Sequence, residues 1–309
     1  MMILGGSSVA AIGSALADVS AKGERVSQFD LSAMQRVLEY TPEDMTVSVE
    51  AGVTLAQLQA RLAGHKQWLP IDPAGADTLT IGALLAANKS GPRRFGHGTI
   101  REHLLGIKVV LADGKIIKAG GKVVKNVAGY DLCKLFVGSR GTLGIIVEAT
   151  FKVLPRPESE LFLQRSANQL DDLSPLLQNV NQSPLTPTVL DLHGHAADHT
   201  IILGFAGPRE DVEWQRAEAG RLGFRESASL DYDDAFHRVS QPAERVSVLP
   251  SKLIETIKCI EPQSYVARAG NGLIYFRGGR PQQPELPMKL MRRIKETYDP
   301  KGILPDMPW

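Results

Sequence analysis

Glycine spacing marks where this chain could hold a ligand. From Gly138 to Lys152 it reads GSRGTLGIIVEATFK. Gly138 stands where a helix C-terminal cap needs a positive φ. Gly141 and Gly144 bracket Thr142 and Leu143, just before a β-branched run that opens on Ile145 and Ile146. Glycines at a strand entrance leave bare backbone on which a flat ligand can lie, with peptide N–H groups for its polar edge. Two other segments have the composition of an anion cradle. Leu4-Gly5-Gly6-Ser7-Ser8 is a glycine turn after a short apolar stub, where successive N–H groups form a nest and the serines add hydroxyls. The second is Pro73 to Gly98, PAGADTLTIGALLAANKSGPRRFGHG. There Thr80 caps the helix IGALLAAN, and the amides of Ile81, Gly82 and Ala83 are expected to point at an anion. Gly82 permits close approach, and Asn88, Gly91 and Gly98 mark where the chain leaves that helix and turns back. Arg93, Arg94 and Arg101 are candidate partners for phosphate charge or for the ligand's ring, although Arg93 reads equally well as an exposed loop residue.

Other chemistries are poorly represented. No G-x-G-x-x-G lies between a strand and a helix, and no Walker A lysine occurs. The two cysteines, Cys133 and Cys259, are far apart in apolar, helix-like contexts and are expected to be buried thiols. They cannot supply a disulfide framework, a metal site or an iron–sulfur cluster, and they fit a reducing cytoplasm. His193, His195 and His199 cluster as HGHAADH, a spacing that could suit a metal. The segment reads better as a polar loop, so no metal is expected. A net charge of +1 gives no reason to expect nucleic acid or an anionic membrane surface. No apolar run approaches the roughly 18 residues of a membrane span. The first residues, MMILGGSSVAAIGSALA, lack the charged start of a signal peptide.

The elements that must position these residues can be read from pattern. With 309 residues the chain is one large or two modest domains. Its 43% hydrophobic and 22% charged content is that of an ordinary globular protein. MTVSVEAG alternates as a half-buried strand, and Thr54 with Gln57 forms a capping box ahead of LAQLQARL, which Gly64 ends. IKVVLADGKIIKAGG is a hairpin on Asp113-Gly114. Asp131 to Val137 has helical spacing at Leu132, Leu135 and Phe136. From Glu158 onward strand and helix alternate: HTIILGFAGPREDVEWQRAEAGRLGF, then RVSVLPSKLIETIKCI, then a hairpin in YVARAGNGLIYFRG. This order predicts a small antiparallel sheet with helices on one face. A proline-rich linker and a C-terminal helix follow.

The string KNVAGYDL followed by GSRGTLG, together with SGPRR at Ser90–Arg94, resembles the vanillyl-alcohol-oxidase-type FAD flavoproteins. Within them it is similar to the glycolate oxidase and D-lactate dehydrogenase branch, and most to the smaller FAD-binding subunit of bacterial glycolate oxidases. The similarity runs from about Thr41 to Pro157. It implies an α+β fold: a two-subdomain FAD-binding domain over 1–157, a small α+β second domain with an antiparallel sheet over 158–287, and a C-terminal helix and tail over 288–309 that packs back on the first. A helix and a strand usually precede the first glycine loop in that family. Here only Met1–Leu4 stands before Gly5, so the chain is expected to be truncated, mis-started or abbreviated in its first subdomain. The FAD is expected to be noncovalent, since no histidine adjoins Gly5 and Gly6; His97 and His103 flank the second loop. Ala83 stands where the family often has a second glycine.

Oxidation of a 2-hydroxy acid needs a flavin, a base for the hydroxyl proton and a cation for the carboxylate. Catalytically complete relatives carry H-A-G-D-G-N-x-H. This chain keeps the AGNG core in Val266–Tyr275 without either histidine. Arg268 and Arg277 could bind a carboxylate, and no base is evident. The DPKGILPD ending resembles D-P-x-G-x-x-N-P-G, with Pro305 or Asp306 where an asparagine lies near the flavin. The resemblance therefore implies a subunit that supports glycolate oxidation to glyoxylate, with a larger catalytic flavoprotein and an iron–sulfur protein. It would be cytoplasmic or membrane-associated through that complex. A stand-alone D-lactate-type dehydrogenase and a scaffold that has lost flavin are the alternatives.

Overall fold

The structure, a computed structural model, describes residues 2–121, 132–195, 198–227, 229–280 and 287–307. Most of the KNVAGYDL string lies outside the described residues.

The apolar stub is a strand. Met2–Gly5 pairs in parallel with Val26–Asp30, and the helix Val9–Lys22 crosses between them. Ser8 caps that helix, its hydroxyl accepting from the Ala11 amide at 3.2 Å. Gly23 ends it at φ +68°. Beside this unit stands a five-stranded antiparallel sheet in the order Val37–Thr41, Thr46–Glu50, Ile145–Lys152, Leu104–Val110, Ile116–Gly120. The hairpin on Asp113-Gly114 forms as expected, with Gly114 at φ +82°. Leu55–Ala63 carries the expected capping box, and its apolar face, Leu55, Leu58 and Leu62, is fully buried. These residues pack with Ile81, Leu84 and Leu85 against Val47, Val49 and Phe151 of the sheet. The helix foreseen over Asp131–Val137 is shorter: one turn, Cys133–Phe136. Gly138 follows at φ +87°.

The second half is built on a seven-stranded antiparallel sheet. Its order is Arg225–Ser227, Ser159–Ala167, Asp198–Gly207, Val189–His195, Ser264–Arg268, Leu273–Arg277, Glu244–Ser247. The helices Leu173–Gln182, Arg209–Arg221 and Leu253–Ile260 cover one face, burying Leu163, Leu190, Leu192, Leu203, Ala267, Ile274 and Phe276. HGHAADH is not a loop, because His193 and His195 end one strand and His199 lies in the next. Alternation then puts Asp191 and His193 on the other face, where register adds Arg268, Tyr275 and Arg277. The helix Asp231–Arg238 lies over that polar face, with Tyr232 and Asp233 bonded to it. Cys133 is buried as expected, whereas Cys259 is exposed. Leu253, Ile254, Ile257 and Ile260 set that helix's buried face, and Cys259 falls on the opposite one.

The chain returns to its start. Lys295, in the helix Met288–Tyr298, donates to the carbonyls of Thr142 (2.8 Å) and Pro305 (3.0 Å). Ile303 and Leu304 are fully buried beside Leu4, Ile12 and Leu16. The Ile303 carbonyl accepts from the Val26 amide at 2.8 Å. Among the described residues no helix is long and apolar enough to cross a membrane.

Candidate functional site

Two clefts meet at one residue. The first, about 360 Å³, opens between the Val26–Asp30 strand and its following loop, the helix Ile81–Ala87, and the Ser139–Ile146 turn. Of the residues singled out by sequence, Thr80, Gly82, Ala83, Gly141, Gly144, Ile145 and Ile146 line it, with Pro305 at its edge. The second, about 530 Å³, runs between Pro73–Ser90 and the polar face of the seven-stranded sheet. Pro73 and Ala83 line this one. Ala83 is exposed and lines both clefts.

The first cleft does not offer the donors expected of it. Thr80 caps its helix as foreseen, at ψ 155°, but its hydroxyl takes the Ala83 amide at 3.2 Å. The Ile81 and Gly82 amides donate to the carbonyls of Val53 and Ala51, both at 2.8 Å. None of the three points at an anion, because the helix start is stitched to the 51–53 turn. Nor does the bare side of Gly82 face the cleft. A Cβ there would sit 3.0 Å from the Ala51 Cβ. At Gly144 it would sit 2.8 Å from Val109 Cγ1 and 3.2 Å from Phe136 Cε1. These two glycines let protein approach protein. Gly141 differs, with φ +77° and an added Cβ 3.1 Å from the Phe29 ring.

Pattern reading missed the cation here. Arg140 lines the cleft, is exposed, and pairs with no carboxylate among the described residues. Its φ of +53° is sparsely allowed for a side chain and is held by its amide bond to the Ala86 carbonyl, 2.8 Å. A non-glycine in that region between two glycines was the available signal. Arg93 is spoken for instead, at 2.8 Å from Asp72 and 3.0 Å from Glu160. Arg101 donates to the carbonyls of Lys134 and Val137. Gly5, Gly6, Ser7, Ser8, Ile81, Asn88, Gly91, Gly98 and Arg101 line neither cleft. Gly5 still lies beside Asp30, at the first cleft's rim. Asn88 takes the left-handed conformation, φ +47°, that ends the helix.

The second cleft gathers the ionisable groups. Arg268 is not available to a ligand. It is 1% exposed and locked between Asp191 and Asp233. Tyr232 donates to Asp191 at 2.6 Å, and His193 stacks on Tyr232 at 4.6 Å. Burial pushes His193 down to about 4. Arg277 is less deeply buried, at 7% exposed, and among the described residues it pairs with no carboxylate. Its Nε donates to the Gln241 carbonyl at 2.8 Å, and its guanidinium lies 4.2 Å from the Phe236 ring centre. His237 is half-buried, with its ring edge-on to Tyr275 at 5.1 Å and its Nε2 3.5 Å from Asp233. Burial first, then the charges of Arg268, Arg277 and Lys89, push it down to about 4. His237 and Arg277 line the same cleft, and sequence reading did not single out this histidine. It lies outside any recognised motif, in DYDDAFHR. Among the described residues no group of acids, histidines and cysteines could hold a metal.

Residues 6–120 match the family profile described as FAD binding domain. This part of the chain is similar to FAD-binding domains. Glycolate oxidase subunit GlcD of Bacillus subtilis is 36% identical over 51% of this chain and 34% of its own length. Glycolate oxidase subunit GlcE of Escherichia coli is 35% identical over 48% of this chain and 43% of its own length. The chain thus spans less than half the length of these curated relatives. A solved alkyldihydroxyacetonephosphate synthase superposes over 98% of this chain and 76% of its own, with a TM-score of 0.72 and 18% identity. That likeness establishes the fold and extends it beyond the sequence-matched half.

Proposed function

We propose that this chain is the FAD-binding subunit of a glycolate-oxidase-like complex and supports oxidation of glycolate, or a close 2-hydroxy acid, to the 2-oxo acid. Its partners would be a larger catalytic flavoprotein and an iron–sulfur protein, in the cytoplasm or held to a membrane by the complex. The observation that carries the reading is convergence. Seven residues chosen for cofactor contact line one cleft of the FAD-binding fold, and that cleft shares Ala83 with one holding a histidine and an arginine.

In this reading Gly141, Ile145 and Ile146 form the wall for noncovalent FAD, Thr80, Gly82, Ala83 and Gly144 lie along it, and Arg140 meets phosphate charge. Bound FAD supplies the hydride acceptor. Were this chain itself the catalyst, His237 would accept the hydroxyl proton and Arg277 would offset the carboxylate. The purified chain should show a flavin spectrum, and acid precipitation should release the FAD. A colourless chain that does not take up FAD would favour the scaffold.

His237 beside Arg277 also favours a second reading, a stand-alone 2-hydroxy-acid dehydrogenase. An artificial electron acceptor decides between them, since it removes the need for an iron–sulfur partner. The subunit reading expects little or no glycolate oxidation until the larger flavoprotein is added. Turnover by the isolated chain near a typical ~10 per second would establish the stand-alone enzyme.

A further inference from the structure

Two stretches that the sequence marks for ligand contact, SGPRR and AGNG, meet where the two halves of the chain join. Arg93 crosses the junction first. Its Nε and Nη2 donate to the two oxygens of Glu160, on the Ser159–Ala167 strand, at 3.1 and 3.2 Å. Its Nη1 donates to Asp72 of the first half at 2.8 Å. The guanidinium lies 5.4 Å from the Trp68 ring centre and 5.5 Å from that of Phe162, one ring from each half. A forked arginine between two carboxylates and two rings fixes direction as well as distance. Gly96 makes a second crossing. Its amide donates to the Thr188 carbonyl at 2.9 Å, and an added Cβ would sit 2.6 Å from the Thr188 Cα.

Phe95 makes the third crossing. Its ring packs against the core of the second half and lies on Gly270, the first glycine of AGNG. The nearest atoms to a Cβ built on Gly270 all belong to that ring, and the Cβ would overlap them. Gly270 does not take the left-handed conformation, so the ring excludes a side chain there and backbone strain does not. The contact stands just behind the second cleft. On one wall Asp72 adjoins Pro73, and Arg93 and Phe95 follow Ser90. On the other, Gly270 precedes the Leu273–Arg277 strand, which gives the cleft Tyr275 and Arg277. The two walls therefore come from different halves and meet at this seat.

We propose that Phe95 seated on Gly270 is the joint that positions the second half over the first and so sets the spacing of the second cleft's walls. The joint holds whatever the clefts bind, so it does not rest on the functional reading above. In Gly270→Ala the added methyl should push the ring off its seat. Amide exchange in Arg94–His97 should then rise at least about tenfold, and the melting temperature should fall by a few degrees. The strands Ile145–Lys152 and Asp198–Gly207 should keep their protection. Spin labels at Lys89→Cys and Arg238→Cys, one exposed position on each wall, read the spacing directly in a Cys259→Ser background. Their distance distribution should shift or broaden in Gly270→Ala. Phe95→Ala should act alike, by removing the ring. With no ring to meet, the methyl adds no further loss, so the double variant should exchange and melt as Phe95→Ala does. Flavin content should match the parent throughout, since residues of the first half and the tail line the first cleft. Parent-like exchange or an unchanged label distance in Gly270→Ala overturns the proposal. A double variant that shows the summed losses of the single ones does so too. If Gly270→Ala does not fold, a folded double variant supports the joint and an unfolded one overturns it. Flavin lost in step with the melting temperature would show that the contact serves the cofactor half itself, and would also overturn it. A parent chain that takes up no flavin would sink the functional reading and leave exchange, melting and label distance to decide this one.

Discussion

Ala83 is the better residue with which to test the cofactor cleft than either glycine that marks it. Its side chain is exposed and faces both clefts, so Ala83→Phe adds bulk where a ligand would lie. Flavin occupancy should fall at least about tenfold while the melting temperature moves by only a few degrees. Gly82→Val should do something different. Its Cβ meets Ala51 at 3.0 Å, so roughly 1–3 kcal/mol of stability should go. Full flavin occupancy in Ala83→Phe would remove the cleft from consideration. Thr80 shows where sequence stops being informative: the cap is written in TLTIGALL, but the acceptors at Ala51 and Val53 come from a distant segment. Histidine protonation gives a second residue-scale expectation. His193 and His237 are pushed down to about 4 from an ordinary 6.5, mainly by burial. The unfolded chain therefore binds more protons between about pH 4 and 6.5. Stability should be full above that window and fall as pH drops through it. A double variant, His193→Gln with His237→Gln, should flatten the dependence of melting temperature on pH between 7 and 5. An unchanged slope would mean that other groups carry it.

At the scale of elements, one ion cluster joins the Asp231–Arg238 helix to the sheet. Arg268 reaches Asp191 on the neighbouring strand and Asp233 on the helix, and Tyr232 adds a bond to Asp191. The helix buries only Asp233 and Phe236, so it has little apolar attachment of its own. Removing the arginine leaves two buried carboxylates facing each other. Arg268→Met should cost about 3–5 kcal/mol, and adding Asp191→Asn and Asp233→Asn should restore a good part. Urea midpoints for the three proteins check this; a single variant as stable as the parent would show that the helix is held otherwise. Strand and helix order in this half were legible, because period-2 and period-3.6 runs alternate plainly between Glu158 and Arg277. The cluster was not. Arg268 and Asp191 are separated by 77 residues, and only register across two strands makes them neighbours. Without that register an arginine beside AGNG reads as a ligand group.

The whole molecule is tied end to end. Asp299 is buried and accepts from the Ile303 and Leu304 amides at 2.9 Å, which folds the tail back so that both side chains fill the core under Leu4, Ile12 and Leu16. Lys295 pairs with Asp299 at 2.6 Å and reaches the Thr142 carbonyl, so the same knot touches the turn at the first cleft. Pro305 then lines that cleft. The motif DPKG made a turn legible, but not that this turn closes the core of a strand–helix–strand unit 281 residues away, where Lys301 bonds the Ser20 carbonyl. Asp299→Ala should therefore act locally and at long range. It leaves two amides without their acceptor and Lys295 without its counter-charge, for a cost of about 2–4 kcal/mol. Amide hydrogen exchange should rise in Met2–Gly5, Val9–Lys22 and Val26–Asp30, while the seven-stranded sheet keeps its protection. Flavin should be lost in parallel, because the Val26–Asp30 strand and Pro305 both wall the first cleft. Exchange that rises equally in both halves would show one cooperative unit. Exchange unchanged near the N-terminus would mean that the tail closes nothing.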